Sequence, residues 1–156
     1  MSVIFAKDVI KEYPHGSTTV PALRGIDLTV ETGEFTSLAG PSGSGKTTFL
    51  NLIGCLDKTS SGKLLIDGTD VATLSPIELA ALRREKIGFI FQTYNLIPVL
   101  TAYENVELPL VLLRNETESR IKERVYQALA DVGLKGLEQR RPADLSGGQQ
   151  QRVAIA

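Results

Sequence analysis

The chain has 156 residues, 42% of them apolar, which suits one ordinary globular domain or a piece of one. Its 17 Lys and Arg stand against 18 Asp and Glu for a formal net charge of −1, so there is no global basic field of the kind that holds a nucleic-acid backbone. Apolar patches such as LPLVLL at 108–113 fall far short of the roughly 20 residues that span a bilayer, and the start MSVIFAKDVIKEY is too short and too charged for a secretory signal.

The first third alternates strand-like runs (VIFAKDVI, LRGIDLTV, EFTSLAG) with turns at PHGS and ETGE, a β-rich pattern. His15, the only histidine, lies in the polar stretch PHGSTT and reads as a solvated loop residue without metal-ligating company. A helix is predicted from after Gly45 to about residue 54, in FLNLIGCLD. Cys55, also alone, sits among Leu52, Ile53 and Leu56 and reads as a packing residue in a reducing compartment. KLLIDG is predicted as a strand, and PIELAALRRE, with Pro76 in its first turn, as a helix. IGFIFQ then reads as a buried strand, and TYNLIPVLTAYENV as a loop that exposes apolar and aromatic residues for a docking partner. In TESRIKERVYQALADVGL the spacing of Ile121, Val125, Leu129 and Val132 predicts an amphipathic surface helix that stops at Gly133. Strands alternating with helices predict an α/β fold with a mostly parallel sheet, preceded by an antiparallel β portion.

LAGPSGSGKTT matches G-x-x-x-x-G-K-[ST] between a strand-like and a helical run. Its glycines let the backbone fold tightly, so that N–H groups from about Ser42 to Thr47 converge on an anion and the next helix adds its positive end. Lys46 is predicted to reach the β- and γ-phosphates and the Thr47 hydroxyl to bind Mg²⁺. By itself this loop says only that nucleotide phosphates are bound.

LSGGQ, at residues 145–149, narrows the class. With it the sequence resembles, over nearly its whole length, the nucleotide-binding domain of ABC transporters. The resemblance implies a P-loop NTPase fold with a RecA-like, mostly parallel sheet, an antiparallel N-terminal β portion and a helical subdomain at about residues 96–150. It implies ATP and Mg²⁺ as ligands: Tyr13 stacks on adenine, Gly40, Pro41, Ser42, Gly43, Ser44, Gly45, Lys46, Thr47 and Thr48 hold the phosphates, and Gln92 touches Mg²⁺ or the attacking water. It also implies a head-to-tail dimer in which Ser146, Gly147, Gly148 and Gln149 act in trans on the nucleotide of a second nucleotide-binding subunit. The segment near residues 92–106 then receives a transmembrane permease at the cytoplasmic side of the plasma (inner) membrane.

GPSGSGKTTFLNLIGCLDKTSSG, RREKIGFIFQTYNLIP, ENVELPL and LSGGQQQRVAIA are similar to the branch that powers lipoprotein release and macrolide-type export. A non-transport ATPase of the cell-division regulator type and an inactive truncated binding module are the alternatives. Thr47-Thr48 keeps both hydroxyls of the commoner serine-threonine, whereas Thr36 and Ser37 make the preceding strand more polar than expected. No Asp-Glu strand (Walker B), D-loop or switch histidine follows the signature. The expectation is therefore a C-terminally truncated domain that binds ATP weakly and, as the isolated chain, hydrolyses it negligibly.

Overall fold

The computed structural model describes residues 2–113 and 115–156, which form two compact units, Met1–Ile87 and Gly88–Ala156. In the first, β1 (Ser2–His15) and β2 (Thr18–Glu31) make a long antiparallel hairpin, and β3 (Ser61–Ile66) and β4 (Thr69–Asp70) extend it to a four-stranded sheet of order β2-β1-β3-β4. Every ladder is antiparallel. Helix α1 (Lys46–Ile53) contributes Phe49 and Leu52, and α2 (Pro76–Lys86) contributes Leu79, to a core shared with Ala6, Val9, Leu23, Leu64 and Ile66. Ser75 and Glu78 close a capping box around the start of α2, with Pro76 where no N–H is needed.

β1 is kinked at Asp8, which takes a left-handed φ of 48° where the pairing with β2 skips from Ala6 to Val9. The Asp8 N–H, thrown out of the ladder, donates to Asp27 Oδ1 at 2.6 Å. Gly62 crosses this bulge so closely that a Cβ there would lie 2.0 Å from the Asp8 carbonyl oxygen. Only glycine fits that crossing.

In the second unit, α3 (Ala102–Leu113), α4 (Glu118–Asp131) and α5 (Gly147–Ile155) enclose a separate core of Ala102, Val106, Ile121, Val125, Leu129, Leu134, Leu145 and Val153. The amphipathic reading of α4 holds, since Ile121, Val125 and Leu129 are its buried residues and Gly133 follows with φ 72°.

Three expectations are corrected. The predicted strands in EFTSLAG and IGFIFQ are not formed: residues 35–40 and 88–92 lie outside any strand, with Phe35 95% and Ile90 62% exposed. A strand is held by ladder hydrogen bonds to a neighbour, and among the described residues none pairs with these segments. Their expected parallel ladder is accordingly not part of the described sheet. The loop predicted through residue 106 ends instead at α3, because Thr101 caps it: the Thr101 hydroxyl accepts from Glu104 N–H at 3.2 Å and Glu104 Oε2 accepts from Thr101 N–H at 2.7 Å. His15 is exposed as expected, but it ends β1 rather than lying in a loop.

Candidate functional site

The phosphate-type loop runs from Gly40 into α1. Gly45 is the residue before the helix, in the left-handed conformation (φ 86°), and a Cβ on it would lie 2.7 Å from both the Ala22 carbonyl oxygen and Leu23 Cδ2. The loop is thus pressed against β2. α1 has no side-chain cap and no acidic residue in its first turn. Its leading N–H groups have no partner one turn earlier, because intrahelical bonding starts with Phe49 N–H to Gly45 O at 2.9 Å. Donors and helix dipole together make this end attractive to an anion.

The space in front of these donors is a cavity of about 240 Å³ lined by Ala22 and residues 42–48. Lys46 lies over the loop, its ammonium donating to Gly40 O at 2.8 Å, Pro41 O at 2.7 Å and Ser44 Oγ at 3.3 Å. These neutral acceptors occupy the three ammonium donors without cancelling the charge, so a phosphate oxygen would bind by replacing one of them. Thr47 is exposed at the cavity, its hydroxyl a suitable single oxygen ligand for a hard cation that keeps several waters. Among the described residues no group of three or more His, Cys, Asp and Glu could hold a metal ion. A metal here would need nucleotide oxygens to complete its shell.

Tyr13, near the end of β1, donates its hydroxyl to Asp57 Oδ2 at 2.8 Å and has the cavity-lining Thr48 as a neighbour. The bond to Asp57 raises the Tyr13 phenol above its ordinary range, with burial adding to the effect. Tyr13 and residues 40–48 belong to the first unit, and Gln92 and residues 146–149 to the second. Gln92, expected at the tip of a buried strand, is an exposed turn residue, since that strand is not formed.

The signature residues form the N-terminus of α5. Ser146 is its cap, the hydroxyl accepting from Gln149 N–H at 3.3 Å while Gln149 Oε1 accepts from Ser146 N–H at 2.8 Å. Gln149 therefore spends its amide oxygen on the turn, and Ser146, Gly147 and Gly148 stay exposed. Gln150 braces the preceding segment through Nε2, donating to Pro142 O at 2.9 Å and Leu145 O at 3.0 Å. Residue-level reading missed Asp57, Gln150 and Tyr94, whose hydroxyl packs against Gly147. Only the QQQ run next to the signature hinted at the second of these.

Among the described residues no helix is long and apolar enough to cross a membrane. The family model for the ABC transporter matches residues 23–156. The macrolide export ATP-binding/permease protein MacB of Escherichia coli is 49% identical over 154 residues, covering 99% of this chain and 24% of that protein. The ABC transporter ATP-binding protein MJ0796 of Methanocaldococcus jannaschii is 49% identical over 158 residues, covering 99% of this chain and 67% of its own length. The chain thus spans about a quarter of the macrolide-export relatives and about two thirds of MJ0796. The dimeric ATP-binding cassette MJ0796, solved in a post-hydrolysis state bound to ADP and Pi, superposes with a TM-score of 0.88 at 46% identity, covering 97% of this chain and 67% of that one. The α/β P-loop NTPase fold, with its antiparallel N-terminal sheet and helical signature portion, is that of these cassettes, and this chain belongs to the ABC transporter ATP-binding family.

Proposed function

We propose that the chain is the ATP-binding part of an ABC transporter that drives export or lipoprotein release through a partner permease. The observation that carries the reading is the uncapped N-terminus of α1 facing a cavity over which Lys46 is held by the Gly40 and Pro41 carbonyls. A cation and a set of free backbone donors around one cavity suit a polyphosphate. Residues 40–48 would bind the phosphates and Tyr13 would stack on adenine. Mg²⁺, held by Thr47 and Gln92, would neutralise phosphate charge. Ser146, Gly147, Gly148 and Gln149 would act on the nucleotide of a second copy in a head-to-tail dimer, a reading supported by the dimeric state of the MJ0796 cassette. The single-domain reading of residues 1–156, with a helical subdomain near 96–150, is part of the same proposal.

The combined ATP-binding and permease makeup named for MacB supports a transmembrane partner, which would dock near residues 92–106 at the cytoplasmic face of the inner membrane. Val99, at 71% exposure, and Ile97 give that segment apolar surface. Calorimetric titration of the 156-residue polypeptide with ATP and Mg²⁺ tests the central claim. Lys46→Ala should weaken binding at least about tenfold, the loss of one charge-assisted contact to phosphate. Equal affinity in the variant would refute it.

A further inference from the structure

Tyr13 does not stand alone beside the phosphate cavity. Lys11, two residues earlier on the same strand, is only 9% exposed, which is unusual for a lysine and demands compensation. Compensation comes from one place: Lys11 Nζ donates to Asp57 Oδ1 and to the Lys58 carbonyl, each at 2.7 Å. The other oxygen of the same carboxylate, Asp57 Oδ2, accepts the Tyr13 phenol. The lysine ammonium also lies 4.8 Å from the centre of the Tyr13 ring. One carboxylate therefore binds both partners of a cation–ring pair and fixes their mutual geometry.

Asp57 lies in the turn segment that follows α1, and its loop is stitched to β1. Ser60 N–H donates to Ile10 O at 2.9 Å, and Ser60 Oγ accepts from Glu12 N–H at 3.0 Å. The tyrosine, the end of α1 and the strand are thereby one braced assembly. With one ring face taken by Lys11 and Tyr13 38% exposed, a flat ligand would stack on the other. A cation behind an aromatic ring draws electron density away from the free face, which favours stacking by an electron-rich base.

We propose that Asp57 and Lys11 are positioning residues that hold the Tyr13 ring at a fixed angle as the base-binding wall of the nucleotide site. This rests on the reading that Tyr13 stacks on adenine, and it adds to that reading a device that makes the stack rigid and polarised. A preset ring avoids the ordering cost that a free tyrosine would incur on binding.

The test compares ATP–Mg²⁺ with tripolyphosphate–Mg²⁺, which carries the phosphates without the base, by calorimetric titration of the full 156-residue chain. Asp57→Ala is expected to weaken ATP binding by roughly fivefold, the size of one cation–ring contact, and to leave tripolyphosphate within about twofold. Asp57→Asn, which can still accept from the phenol, should recover part of the loss. Tyr13→Ala should weaken ATP selectively as well, and the double variant Tyr13→Ala/Asp57→Ala should bind no more weakly than Tyr13→Ala, because the carboxylate acts through the ring. Wild-type ATP affinity in Asp57→Ala, or an equal loss for both ligands, overturns the positioning role while a selective loss in Tyr13→Ala leaves stacking intact. If Tyr13→Ala binds ATP as the wild type does, the stacking reading itself fails. Should Asp57→Ala not fold, Tyr13→Phe keeps the ring and loses only the bond to Asp57. ATP affinity between those of wild type and Tyr13→Ala supports the proposal, and wild-type affinity overturns it.

Discussion

The hydroxyl of Tyr94 lies 3.1 Å from the point where a side chain on Gly147 would begin. Tyr94 is also one of five non-glycine residues with positive φ among the described residues, at 61°, and Asn95 beside it has φ 53°. Two consecutive residues in the left-handed region cost of order 1–2 kcal/mol each, so tertiary contacts must hold them there. The first glycine of the signature is therefore small for a reason inside its own unit, apart from any ligand.

Gly147→Ala should accordingly be close to neutral for stability. Alanine gains up to about 1 kcal/mol of helix propensity over glycine, and crowding of the Tyr94 hydroxyl offsets it. Removing that hydroxyl by Tyr94→Phe leaves the ring carbon at 4.0 Å as the nearest atom, an ordinary contact. In the Tyr94→Phe background the same Gly147→Ala change should stabilise by roughly 0.5–1 kcal/mol. Urea midpoints of the four proteins decide this, and additivity of the two changes would count against the contact.

Two glycines of the first unit separate conformational need alone, at Gly68, from conformational and steric need together, at Gly62, whose φ is 85°. Gly62→Ala places a Cβ against backbone at 2.0 Å, which no rotamer change relieves, and should destabilise by about 3 kcal/mol or more. Gly68, at φ 76° with nothing within 4 Å, needs only the left-handed conformation. Gly68→Ala should cost about 1 kcal/mol, and Gly68→Asn less. Thermal melts of the three variants test the ranking.

Burial of Tyr103, with the bond from its phenol to Glu107 Oε1 at 3.0 Å, pushes its pKa up to about 12 from 10.0. The neutral phenol is thus favoured by the fold. This contribution to stability is complete below pH 10 and is lost as the pH rises from about 10 to about 12. In an ultraviolet titration Tyr103 should ionise late, and Tyr103→Phe should remove that late step while flattening the fall in stability over the same range.

Cys55 is 3% exposed, and burial raises its thiol above the ordinary range although Arg83 opposes the shift. The Arg83 guanidinium donates to the Cys55 carbonyl at 2.8 Å, fixing the turn after α1. The native chain should react with a disulfide reagent at least about a hundredfold more slowly than the urea-unfolded chain, as expected for a thiol that is both covered and protonated. Fast labelling under native conditions would contradict the packing role.

Much of the site was legible because it depends on local chemistry. The spacing of Gly40, Gly45, Lys46 and Thr47 specifies a turn followed by a helix start, and Ser146 with Gln149 specifies a capped one; neither needs distant residues to form. The periodicity of Ile121, Val125 and Leu129 likewise determined α4. The start of α3 was legible in principle, since Thr101 and Glu104 have the capping-box spacing, but the apolar run before it argued for a loop. Only the tertiary structure decided the rest. Whether residues 35–40 and 88–92 become strands depends on a neighbouring strand, which local propensity cannot supply. Whether Tyr13 is an ordinary surface aromatic or part of a braced cluster depends on Asp57, 44 residues away, arriving with both of its oxygens at Lys11 and the phenol. Backbone turns are written in neighbouring residues, whereas ladders and shared carboxylates exist only once the chain has brought distant segments together.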